Sequence, residues 1–155
     1  MSTSQSPSRD EAVRELLLLM PRLVGRAKQL PVPAELRPLD LAPRHLSLLA
    51  YLLFDGPLTV SELADRLQLA PTTVSLLVGD LSRKGVLLRS EDEADRRRRI
   101  VDIADQHRAS ISGWLASGAH AWQVALGPLT AAQRALFVAT LHAYEDALGR
   151  PAPDR

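Results

Sequence analysis

The sequence predicts a mainly α-helical fold carrying one small β-hairpin, and three observations predict it. Apolar residues recur at helical spacing in six separate stretches. Boxes of the Ser/Thr-x-x-Glu/Gln type, at Ser8–Glu11, Thr59–Glu62 and Thr130–Gln133, open three of those stretches. Only between Val86 and Ile103 does the pattern change to short β-type runs, VLLRS and IVDI.

Residues 1–8 are polar and are expected to form a disordered tail. A first helix then carries Val13, Leu16, Leu17, Met20, Leu23, Val24 and Ala27 at helical spacing. Pro21 is expected to kink it or end its first part, because proline removes a donor and clashes with the preceding turn. PVPAELRP is a proline-rich connection. A second helix begins near Pro43, with Leu46, Leu49, Leu52 and Leu53 inward, and Asp55-Gly56-Pro57 stops it. Thr59 opens a short helix burying Leu63, Ala64 and Leu67. After a tight turn, Pro71 starts a fourth helix that buries Val74, Leu77, Val78 and Leu81 and ends at Gly85.

Two short helices joined by a tight turn and followed directly by a hairpin make a winged helix-turn-helix. Asp105 is expected to cap a long helix with Ile111, Trp114, Leu115, Trp122 and Leu126, broken at Gly127-Pro128. A last helix carries Phe137, Leu141, Tyr144 and Leu148 on one stripe. The first and the last two helices hold more apolar surface than a lone winged helix covers, which implies N- and C-terminal dimerisation helices flanking it. The expected organisation is a tail (1–8), an N-terminal dimerisation helix and connection (9–38), a winged helix-turn-helix lobe (39–104), and C-terminal dimerisation helices with a tail (105–155).

The wing holds the least ordinary stretch of the chain, SEDEADRRRRIVDI. Four adjacent guanidiniums repel one another, so the run is either a solvated tip or meets an external anion. The whole chain has a net charge of only +1, and residues 58–103 hold eight basic and eight acidic side chains. Any basic surface is therefore local.

LTVSELADRLQLAPTTVSLLVGDLSRKGVLLRSEDEADRRRR resembles the MarR family of bacterial transcription regulators, and the order of elements extends the likeness to nearly the whole chain. The informative parts are LTVSELA, TTVS, KGVLLR and the D-x-R of Asp95-Arg96-Arg97. The resemblance implies a homodimer, a repressor or activator, that binds double-stranded DNA at a pseudopalindromic operator. It implies that Arg97 enters the minor groove and that Asp95 helps hold it. Narrow minor grooves attract arginine, and phosphates neutralise neighbouring guanidiniums, which favours DNA contact over a solvated tip. Arg96, Arg97 and Arg98 are thus wing candidates, Arg97 the best single one because alternate strand residues point opposite ways. Thr72, Thr73 and Ser75 at the start of the fourth helix are the candidates for base or phosphate contact. Arg83 and Lys84 read as helix-dipole partners.

The chain departs from its relatives at Leu76 and Asp80, where arginines are common, and Gly79 costs about 1 kcal/mol of helix propensity. Ala104 replaces the usual threonine before the fifth helix, and the glycine usual after it is absent from DQHRAS. Leucine binds no phosphate, and aspartate repels one. These departures keep a second reading open, a winged-helix protein-interaction module without sequence-specific DNA binding. The resemblance also implies a pocket between the dimer region and the lobe for small aromatic or anionic compounds, with Arg44, His45 and Trp114 as candidates.

There is no cysteine, which excludes disulfides, thiolate zinc sites and thiol-based sensing. G-x-S-x-G, the phosphate loop and H-E-x-x-H are absent, so an enzyme is not expected. His142, Glu145 and Asp146 share one helical turn, but no second histidine accompanies them, and neither a metal nor another cofactor is assigned. No apolar run approaches the length of a membrane span, and LLLLM has neither a basic flank nor a cleavage site. The expected location is the cytoplasm, away from the membrane.

Overall fold

Ser8 caps the first helix as the sequence requires. Its hydroxyl accepts from the Glu11 amide at 3.3 Å, and the Glu11 carboxylate accepts from the Ser8 amide at 2.8 Å. The computed structural model describes residues 6–149, so residues 1–5 of the expected 1–8 tail, and the C-terminal residues 150–155, lie outside the described residues. The chain divides after Gly118 into two compact units.

In the first unit, α1 spans Arg9–Lys28 without interruption at Pro21. The helix does not end its first part at Pro21. Proline deletes the single bond its own nitrogen would donate to the preceding turn, and the turns on either side keep theirs. None of the α1 residues is buried.

α2 spans Pro43–Asp55 and ends at Gly56, whose φ of 83° suits glycine. Its buried face is His45, Leu48, Leu49 and Leu52, whereas Leu46 and Leu53 are half-buried. β1 (Leu58–Thr59) leads into α3 (Val60–Leu67), and Gln68 turns the chain with φ 52°. α4 follows at Pro71–Arg83, with Val74, Val78 and Leu81 fully buried. Gly85, at φ 72°, then admits the chain to the wing.

The wing is a three-stranded antiparallel sheet, order β1-β3-β2, rather than a two-stranded hairpin. β2 (Leu87–Glu91) pairs with β3 (Arg99–Ile103), Leu87 opposite Ile103 and Glu91 opposite Arg99. β1 covers the other edge of β3, Leu58 opposite Val101 and Thr59 opposite Ile100. This ties the wing to the start of the helix-turn-helix and protects a sheet edge. Leu36, Leu48, Leu63, Val78, Ile103 and Ile111 are among the side chains that fill one core beneath these elements.

α5 spans Asp105–Leu126 and crosses the division between the units. Asp105 lies inside its first turn rather than capping it. The negative charge is still favourable there, near the positive end of the helix dipole. Ile111 and Trp114 are buried, whereas Trp122 is exposed.

In the second unit, α6 (Ala131–Leu148) begins with the expected Thr130–Gln133 box, the two bonds measuring 2.8 and 3.2 Å. Phe137, Leu141, Tyr144 and Leu148 form its stripe and all are exposed. Trp122 and Phe137 pack with ring centroids 5.8 Å apart.

Candidate nucleic-acid interface

The start of α3 is fixed by reciprocal bonds between Thr59 and Glu62. The Thr59 amide donates to the Glu62 carboxylate at 2.8 Å, and the Glu62 amide donates to the Thr59 hydroxyl at 3.1 Å. The Thr59 amide, first, and then the charge of Arg98 and the Thr59 hydroxyl hold the Glu62 carboxyl below its usual pKa, against an upward push from burial. α4 is oriented by its buried Val74, Val78 and Leu81, and that packing leaves Thr72, Thr73, Ser75 and Leu76 exposed. The three hydroxyl residues expected to touch DNA are therefore accessible at the N-terminal end of the helix.

Gly79 continues the stripe begun by Thr72 and Leu76, one helical turn on. A Cβ placed there would lie 3.5 Å from an Arg83 guanidinium nitrogen and 3.9 Å from one of Arg89. Two cations, one from α4 and one from β2, thus converge over a backbone that carries no side chain. Sequence reasoning assigns Arg83 to the helix dipole and passes over Arg89. The one local hint is a glycine in mid-helix, unfavourable unless something needs its space.

Asp80 does not face outward as a bar to phosphate. Its carboxylate lies 3.2 Å from Nε2 of the buried His45, 3.6 Å from Lys84 Nζ and 3.7 Å from Arg83. Lys84 also donates to the Asp40 carbonyl at 3.1 Å, fastening the end of α4 to the segment before α2.

The four wing arginines have different surroundings. Asp95 shapes the turn: its carboxylate accepts from the Arg97 amide at 3.0 Å, and its carbonyl accepts from the Arg98 amide at 2.9 Å. The aspartate therefore holds the backbone of Arg97, not its guanidinium. Arg98 turns back to the body of the lobe, donating to Glu62 at 2.5 Å and to Asp92 at 3.2 Å. Arg99 lies 3.8 Å from Glu91, its partner across the strands. Arg96 and Arg97 are exposed, and among the described residues neither has a carboxylate partner within 4.0 Å.

Arg44, His45 and Trp114, the residues expected at a ligand pocket, have different surroundings. Arg44 is exposed, and His45 and Trp114 belong to the packed interior. They line neither the depression on α1 against Val13 and Leu17 nor the one between Trp122, Leu126 and Arg134. Among the described residues no group of three or more His, Asp or Glu could hold a metal ion. No helix of the described residues is long and apolar enough to cross a membrane.

The accessible face of α4, a wing whose Arg96 and Arg97 have no carboxylate partner among the described residues, and the guanidiniums of Arg83 and Arg89 at Gly79 give a winged helix-turn-helix with locally concentrated positive charge. Residues 39–98 match the MarR family. The segment is similar to the HTH-type transcriptional repressor MdtR of Bacillus subtilis, with 34% identity over 64 residues. That match takes in 41% of this chain and spans 40% of the repressor's length. Among solved structures, the fold is similar to S. aureus MepR in a complex with DNA, at 23% identity and a TM-score of 0.61 over 84% of this chain and 96% of that one. It is also similar to the PcaV transcriptional regulator of Streptomyces coelicolor bound to its natural ligand, at 21% identity and a TM-score of 0.59 over 96% and 99% of the two chains.

Proposed function

We propose that this chain is a dimeric, sequence-specific DNA-binding transcriptional regulator, a repressor modulated by a small molecule. The observation that carries the reading is the convergence of Arg83 and Arg89 over Gly79, beside an exposed stripe of small and apolar side chains on α4. Cations flanking an accessible helix face match a major groove bordered by phosphates. The unpaired Arg96 and Arg97 supply a second contact at the wing, in a minor groove. Thr72, Thr73 and Ser75 add short-range bonds, and Asp95 keeps the turn in shape. The chain acts as a binding protein rather than a catalyst, in the cytoplasm.

The similarity to the repressor MdtR supports the direction of regulation, and the ligand-bound PcaV structure supports small-molecule control. In a symmetric dimer the two α4 helices address half-sites about one duplex turn, near 34 Å, apart. A ligand that prefers another spacing lowers DNA affinity by no more than its own preference between the two states. The buried positions of His45 and Trp114 give the ligand assignment of Arg44, His45 and Trp114 no support.

The test is in vitro selection of bound fragments from the host's genomic DNA, followed by affinity against salt concentration. The expected result is a pseudopalindromic site whose log affinity falls with log salt by about 0.9 for each phosphate neutralised. Absence of enrichment at low salt, with a folded dimer, favours the protein-interaction module, a reading that the exposed Leu76 keeps in play.

A further inference from the structure

Leu76 projects from the middle of α4 with 76% of its surface exposed, the largest value for any large apolar side chain among the described residues. Its neighbours on the same stripe are Thr72 before it and Gly79 after it, and no long polar side chain intervenes until Arg83. We infer that Leu76 reads thymine C5-methyl groups in the major groove and imposes a thymine requirement in each half-site. The inference rests on the proposed role of α4 as the DNA-reading helix.

Leucine has no donor or acceptor, so it cannot bond to a base edge. The major groove offers it one complementary feature, the thymine methyl, which is absent from the other three bases. Gly79 adds no bulk on the adjacent turn, which lets the helix surface approach the groove floor. The Arg83 and Arg89 guanidiniums over Gly79 place positive charge at the margin of the same patch. That rim is complementary to a polyanion, and it argues against an apolar protein surface as the occupant.

Deoxyuridine differs from thymidine by that methyl alone, so the experiment replaces each thymine of the selected operator with deoxyuridine in turn. A buried methyl is worth about fourfold in affinity, so removing it at one position of both half-sites weakens binding about fifteenfold. The Leu76→Ala protein, its folding verified by thermal unfolding, is expected to bind the thymine and uracil operators equally. If every uracil operator binds the native protein like its parent, or Leu76→Ala remains as sensitive as the native protein, the inference is overturned while the regulator reading stands. Failure to select any operator overturns both.

Discussion

Nε2 of His45 lies 3.2 Å from the Asp80 carboxylate, joining α2 to the exposed helix α4 through a side chain that is 1% accessible. The other ring nitrogen, Nδ1, accepts from the Ala42 amide at 3.0 Å and so carries no proton. The proton of the neutral ring is therefore on Nε2, the side facing Asp80. The approach is off the line of a well-formed hydrogen bond, which makes the attraction chiefly electrostatic. One histidine thus caps the start of α2 and anchors α4.

Removing the acid leaves a buried N–H without an anion. Asp80→Ala is expected to lower stability by about 1–2 kcal/mol in urea unfolding. In a double-mutant cycle with His45→Leu, the two destabilisations should fall short of additivity by about 1 kcal/mol. Additive values would show that the two side chains do not act together.

The same histidine gives stability a pH dependence. Burial is the largest influence and lowers its pKa below the ordinary 6.5; Arg44 and Lys84 also lower it, while Asp80 and Asp40 pull the other way. The folded ring thus holds its proton less readily than the unfolded one, so its contribution is fully present above pH 6.5 and is lost as pH falls from there through the folded value. Protonation also requires Nδ1 to give up the Ala42 amide. Denaturation midpoints measured from pH 7.5 to 5 should decline in the native protein and decline less in His45→Gln. Parallel curves would assign the effect to other groups.

Arg97 and Arg98 are adjacent in sequence and should separate in the salt dependence of DNA binding. Arg97 has no carboxylate partner among the described residues, so Arg97→Ala should weaken binding and reduce the salt slope by about one unit for each phosphate it no longer neutralises. Arg98 bridges Glu62 at the start of α3 to Asp92 in the wing, which makes it a positioning residue. Arg98→Ala should weaken binding with the slope unchanged, and Glu62→Gln should reproduce part of that effect. A reduced slope for Arg98→Ala would place its guanidinium on the DNA, and an unaltered affinity for Arg97→Ala would remove the wing arginine from the interface.

What could be read from the sequence follows from how local each signal is. The Ser8, Thr59 and Thr130 boxes involve residues three apart, and all three form as expected. β1 has two residues and exists because Ile100 and Val101 lie alongside it, so no local pattern announces it. In the leucine-rich α2, periodicity alone does not decide between Leu46 and Leu48; packing against the rest of the core does. Asp80 reads as a liability for DNA binding because His45, its partner, lies on another helix. The bond from Arg98 to Glu62 is equally remote in sequence, and it divides an arginine run that reads as uniform.

Both units leave apolar surface uncovered. Leu17 and Leu18 on α1 are 65% and 59% exposed, and α6 exposes Leu136 and Leu148 at 68% each. Burying a single such leucine is worth about 1.5–3 kcal/mol, so two apolar stripes left in water favour association with a second copy. Leu17→Glu should shift sedimentation from dimer toward monomer at micromolar concentration, and Leu148→Glu should do so independently. Neither residue belongs to the core of the winged-helix lobe, so unfolding of that lobe should remain cooperative in both variants. Operator affinity should then fall steeply, because a monomer engages one half-site only. A native protein that sediments as a monomer, or variants that remain dimeric, would remove these helices from the interface.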